Sequence, residues 1–176
     1  MTAIPPATRL PGQDFWDFSL RVYAAPGVQE ECLALQERLG LDVNLLLFAA
    51  FAGARLGLAL SDRDLAELIA ETDDWHVSVV RRLRATRTDM KKWSERTDGL
   101  AAPAAALRLA VKKAELDAER IEHDMLARWA RAKTPDATGA RDATLESNVR
   151  LVLDHFAKTS GKSPVRPGRL IAAALA

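Results

Sequence analysis

The chain has 176 residues and 19.3 kDa, with 48% hydrophobic and 28% charged residues and a formal net charge of +1 (25 basic against 24 acidic side chains). A domain of this size buries about 70% of the surface its unfolded chain exposes, and the composition excludes a disordered, collagen-like or disulfide-built chain. The near-neutral charge selects no polyanionic partner, and the single cysteine, Cys32, closes no internal bridge.

The start, Met1-Thr2-Ala3-Ile4-Pro5-Pro6, lacks the charged and apolar regions of a secretory signal, so a cytoplasmic protein is expected. Residues 1–12 read as a flexible N-terminal arm, 13–160 as a helical bundle and 161–176 as a loose C-terminal tail. The first predicted helix, 14–25, carries Phe15, Phe18 and Val22 on one face and Trp16, Leu20 and Tyr23 on a second. Asp17 and Arg21 share the polar strip at i, i+4. Pro26-Gly27 breaks it. Val28, Cys32, Leu35 and Leu39 then form an α-helical stripe closed by Gly40, which places Cys32 in the core as a structural thiol.

Asp42 is the expected N-cap of the next helix, which is apolar on nearly every face and therefore central. Its run from Val43 to Leu60 approaches the length of a membrane span, but Asn44 and Arg55 interrupt it, and no span is expected. Ala49, Gly53 and Gly57 recur every four residues as a ridge for close backbone approach. Ser61 and Asp64 form a capping box for a short helix ending near 71, and a separate helix is expected from 73 or 74. In that helix Trp75, Val79, Leu83, Met90 and Trp93 fall on one arc, and Arg81, Arg84, Arg87 and Lys91 on another. The longest helix, about 103–133, has Leu107, Val111, Ala114, Ala118, Ile121, Met125 and Trp129 as its expected core line. The charged face opposite, with Glu115, Glu119 and Glu122, is expected in solvent. A loop over 134–139 precedes a last clear helix with Leu145, Val149, Val152 and Phe156. Nothing alternates with period two. The expected class is all-α, a single-domain bundle of six to seven helices around a central apolar helix.

Residues 61–75 carry six acids and one base, and residues 76–96 seven bases and two acids. Either adjacent helices complement each other, or the solvent-facing row Arg81, Arg84, Arg87 and Lys91 docks an anionic protein partner. Nucleic acid is not expected, because one basic helix in a neutral chain is a weak electrostatic footprint. No nucleotide-binding, nucleophile-elbow or zinc-protease motif is present. His76, His123 and His155 show no metal-ligand spacing. Glu119 and His123 at i, i+4 do not complete the Glu-x-x-His pairs of a di-iron bundle, so neither a metal nor a cofactor is expected.

The block Phe15-Trp16-Asp17-Phe18-Ser19-Leu20-Arg21-Val22-Tyr23, then Pro26-Gly27-Val28, Leu35-Gln36-Glu37 and Gly40-Leu41-Asp42-Val43-Asn44-Leu45-Leu46-Leu47-Phe48, is distinctive. With Trp75, Val79-Val80, Leu83-Arg84 and the 112–122 segment, it resembles a proteobacterial family of uncharacterised proteins, a domain of unknown function, over roughly residues 14–130. The resemblance implies a bacterial cytoplasmic helical protein and carries over no catalytic residue.

Within this block Asp17, Arg21, Gln36, Asp42 and Asn44 are polar residues among apolar neighbours. Missing catalytic motifs and a two-faced first helix favour a non-enzymatic interaction or regulatory protein with a protein partner or a second copy of itself. The alternative is a small-molecule binder or enzyme with a pocket near Trp16, Asp17, Asn44 and Trp75. Candidate binding residues are thus Trp16, Asp17, Arg21, Tyr23, Asn44 and Trp75, with Arg81, Arg84, Arg87 and Lys91 on the basic face.

Overall fold

The computed structural model describes residues 12–133 and 140–176, so the expected arm (apart from Gly12) and the loop over 134–139 lie outside the described residues. The helices are α1 Gln13–Tyr23, α2 Val28–Leu39, α3 Val43–Phe51, α4 Asp62–Trp75, α5 Arg81–Asp89, α6 Lys91–Ser94, α7 Ala101–Arg131, α8 Arg141–Ser160 and α9 Gly168–Leu175. A π-helical turn, Ala52–Leu56, extends α3, and a second, His76–Val80, joins α4 to α5. Counted as continuous rods, the described residues hold seven helices and no strand.

Asp42 caps α3 by accepting from the Asn44 amide at 2.9 Å. Every residue from Leu45 to Ala54 is buried, so α3 is the axis of the bundle. Around it pack α1, α2, α7, α8 and α9. Gly53 lies where α8 crosses: a Cβ there would sit 2.4 Å from the Leu145 Cα and 2.5 Å from its amide nitrogen. The side chain of Asn148, buried in α8, donates to the carbonyls of Ala49 and Leu58 and accepts from the Leu60 amide, satisfying backbone groups around the wider π turn. No helix among the described residues is long and apolar enough to cross a membrane.

Three expectations are corrected. The break near residues 71–73 is absent, because no glycine or proline interrupts the segment and the π turn at 76–80 carries the helix onward. The tail is not loose: Leu170, Ile171 and Ala174 of α9 are buried against the bundle, and Glu31 accepts from the Leu170 amide at 2.8 Å. The core line of α7 is rotated. Its buried residues are Glu115, Ala118, Glu122, His123, Leu126 and Ala127, while Leu107 and Ile121 are 59% and 46% exposed. At Glu115, Glu122 and Leu126 the stripe lies one residue beyond Ala114, Ile121 and Met125, about 100° around the helix.

The Gly53 crossing gives a direct test. Gly53→Ala must push the α8 backbone away, since the obstacle is main chain and not a flexible side chain. We expect a loss of about 1–3 kcal/mol in urea denaturation, whereas Gly99→Ala, where a Cβ meets nothing within 4 Å, leaves the packing undisturbed.

A candidate site around a buried carboxylate pair

The rotation of α7 brings its acidic face inward. Glu122 is fully buried, and its carboxylate accepts from the Asn44 amide nitrogen Nδ2 at 2.9 Å. His76 Nδ1 lies 3.2 Å from Glu122 Oε1 and 3.5 Å from Asp42 Oδ2. One ligand-type atom from each of Asp42, His76 and Glu122 lies within 4.8 Å of the others. Each comes from a different place in the chain: the cap of α3, the start of the π turn and the middle of α7.

Two carboxyl groups this close cannot both carry charge cheaply in a dry site. Burial, reinforced by the charge of Glu122, pushes the Asp42 carboxyl well above its usual range. Burial also pushes Glu122 upward, but hydrogen bonds from His76, Asp42 and Asn44 outweigh it and keep that carboxylate low. The two carboxyls are thus driven apart, Asp42 toward the protonated form and Glu122 toward the carboxylate.

Two cavities flank the pair, and Gln36 and Asp42 line both. The smaller, about 160 Å³, lies between α2, α4 and α8 and is lined by Thr72, Asp73, His76 and Arg81. The larger, about 350 Å³, opens between α1, α2, α5 and α7 and is lined by Trp16, Ser19, Tyr23, Asn44, Arg84, Glu119 and His123, among others. Its rim bears the exposed side chains of Leu20, Leu33 and Leu116.

On the α5 wall, Arg84 donates to Glu115 at 3.0 Å and to Glu119 at 2.7 Å, and Arg87 pairs with Glu115. Burial pushes the Glu115 carboxyl up, but Arg87 and Arg84 bring it below its usual range. On the α7 wall, His123 Nδ1 donates to the Glu119 carbonyl at 2.8 Å, which leaves Nε2 to accept from the Ser19 hydroxyl at 3.2 Å. Burial lowers the His123 pKa and keeps the imidazole neutral. No buried side-chain polar atom among the described residues lacks a hydrogen-bond partner.

The structure sorts the predicted site residues. Trp16, Tyr23 and Asn44 meet at the larger cavity. Asp17 lies elsewhere on α1, accepting from Gln13 at 2.6 Å, and Arg21 donates to the Ala173 carbonyl at 2.9 Å. Trp75 is outside the cavity; its indole donates to the Ala118 carbonyl at 3.0 Å and ties the π turn to α7. The uniformly solvent-facing basic row is corrected: Arg84 and Arg87 turn inward to Glu115, while Arg81 and Lys91 remain exposed, Lys91 beside Glu95 at 3.7 Å. Sequence reasoning missed His76, Glu122, Ser19 and His123 as site residues. For Glu122 and His123 the signal was the row of Glu115, Glu119, Glu122 and His123 on one face of α7; His76 and Ser19, on other elements, had none. Cys32 is inert in the core, its thiol pushed up to about 12, mainly by burial.

A family model described as "Protein of unknown function (DUF2390)" matches residues 14–126. The chain belongs to this family. No curated protein and no solved structure matches the chain. The matched segment spans Asp42, His76 and Glu122 and the whole lining of the larger cavity, whereas α8, which adds Phe156 to the smaller one, and α9 lie beyond it.

Two outcomes follow from this electrostatic arrangement. The double variant Arg84→Gln, Arg87→Gln strands the buried Glu115 and should cost about 2–4 kcal/mol in chemical denaturation, while Arg81→Gln, Lys91→Gln should stay within about 0.5 kcal/mol. The folded chain holds the Asp42 proton more tightly than the unfolded chain, so this group's contribution to stability falls as pH rises from the ordinary carboxylate range toward the raised folded value. Asp42→Asn keeps the cap and removes that proton. Its stability relative to wild type should therefore increase as pH rises above the ordinary carboxylate range in chelator-containing buffer.

Proposed function

We propose that the protein binds a small, largely apolar molecule with a neutral hydrogen-bonding head in the cavity between α1, α2, α5 and α7. The observation that carries this reading is the lining of the 350 Å³ cavity: Trp16, Tyr23, Val43 and Leu47 supply apolar surface, and Ser19, Asn44 and His123 converge on it as polar groups. A concave, mainly apolar cavity with a few oriented polar groups is the usual form of a small-molecule site. The charged side chains of its wall are committed to one another, Arg84 to Glu115 and Glu119 and Arg87 to Glu115. A charged ligand would have to break those pairs; a neutral polar head would not.

The exposed Leu20, Leu33 and Leu116 around the mouth favour a second reading, in which the rim seats a protein partner or a second copy of the chain. Such a partner would have to cover about 1,000 Å² or more to form a stable complex, and sedimentation of the purified chain separates self-association from monomeric binding.

Naphthol, a neutral aromatic alcohol, is a suitable probe. Chemical-shift mapping should show saturable binding at Trp16, Tyr23 and Asn44. The rim variants Leu20→Glu and Leu116→Glu, both at exposed positions, should weaken it about tenfold or more. Naphthalene sulfonate should bind more weakly than naphthol. Binding that does not saturate, or that ignores both rim variants, would rule out the cavity as the site.

A further inference from the structure

We propose that Asp42, His76 and Glu122 bind one first-row divalent transition-metal ion. The inference does not depend on the small-molecule reading: Glu122 lines neither cavity, His76 faces only the smaller one, and of the three donors Asp42 alone also borders the larger. It rests on donor geometry. His76 Nδ1 lies 3.2 Å from Glu122 Oε1 and 3.5 Å from Asp42 Oδ2, and the three donor atoms fall within 4.8 Å of one another. Metal–ligand bonds of about 2.0–2.2 Å in a tetrahedral site place neighbouring donors about 3.3–3.6 Å apart. The two separations from His76 are close to this spacing.

The donor chemistry selects the ion class. One imidazole nitrogen and two carboxylate oxygens suit zinc, manganese or ferrous iron, whereas calcium takes six to eight oxygens. With both carboxyl groups ionised, the set carries two negative charges, which a dication neutralises in a buried site. Coordination by both carboxylates releases protons to solvent, and His76 Nδ1, which donates to Glu122 in the free protein, must give up its proton to become a ligand, with Nε2 carrying the ring proton in the bound state. Asn44 already donates to Glu122 at 2.9 Å and so orients a ligand from behind. His76 opens the π turn that joins α4 to α5, and single π turns within α-helices are frequent at functional sites. The 160 Å³ cavity beside Asp42 and His76 leaves room for a water or an exogenous ligand in a fourth position.

The sequence expectation of no metal rested on spacing along the chain, which cannot register donors separated by 34 and 46 residues (from 42 to 76 and from 76 to 122). The test uses the full chain, stripped with chelator and titrated with Zn²⁺ by calorimetry and with Co²⁺ by visible absorption. One ion per chain is expected, with cobalt d–d bands of a four- or five-coordinate site and a raised Tm. His76→Gln and Glu122→Gln should weaken binding by at least about 100-fold, and Asn44→Ala by about 10–100-fold. Asp42→Asn retains the helix cap, so it decides the matter if Glu122→Gln does not fold, as judged by circular dichroism. No saturable binding by the folded wild-type chain would overturn the proposal. So would wild-type affinity in both Asp42→Asn and His76→Gln.

Discussion

The burial of Glu122 in the middle of α7 organises the centre of this molecule. A carboxylate taken from water is costly unless hydrogen bonds and counter-charge replace its hydration. Here three groups do so: the Asn44 amide from the first turn of α3, the imidazole of His76 and the carboxyl of Asp42. Because these donors come from separate elements, satisfying one side chain fixes the rotation of α7, the cap of α3 and the position of the π turn together. That rotation in turn aims Glu115 and Glu119 at α5, where Arg84 and Arg87 meet them.

The apolar side of the bundle supports this arrangement. Phe15 packs on Phe48 at 5.3 Å and on His123 at 4.2 Å between ring centroids, so the wall of the cavity and the core share a boundary. The α8 backbone approaches α3 at Gly53, and α9 closes the end of the bundle over α1 and α2. Both lie outside the segment shared with the family model, yet they cover faces of α3 that α1, α2 and α7 leave open. The site therefore sits within the family segment, while part of the core that holds it is supplied by α8 and α9.

The basic row on α5 shows why net charge along a helix is an ambiguous signal. Four cations at helical spacing describe equally well an exposed docking face and one half of a buried network. What separates them is whether the neighbouring helix offers acids at matching height. Glu115 and Glu119 on α7 do so for Arg84 and Arg87, and among the described residues no comparable partner reaches Arg81, which remains exposed. Part of the basic charge of residues 76–96 is thus paired with α7, through Arg84 and Arg87, and not with the acidic segment that precedes it.

The amino-acid sequence by itself determined the local elements. Gly40 takes a φ of 69° at the end of α2, Asp42 caps α3, Ser61 and Asp64 form the capping box of α4, and the run from Leu45 to Ala54 is buried on all sides. These depend on interactions within a few residues or on a hydrophobic pattern without ambiguity. The facing of α7 was decided only by the tertiary structure. Its apolar line through Leu107 and Ile121 and its polar line through Glu115 and Glu122 are both regular, and hydrophobic spacing alone prefers the first. Ion pairs and hydrogen bonds from Arg84, Arg87, His76 and Asn44 reverse that preference. Those partners lie 28 to 78 residues away along the chain, a separation at which no local pattern carries information.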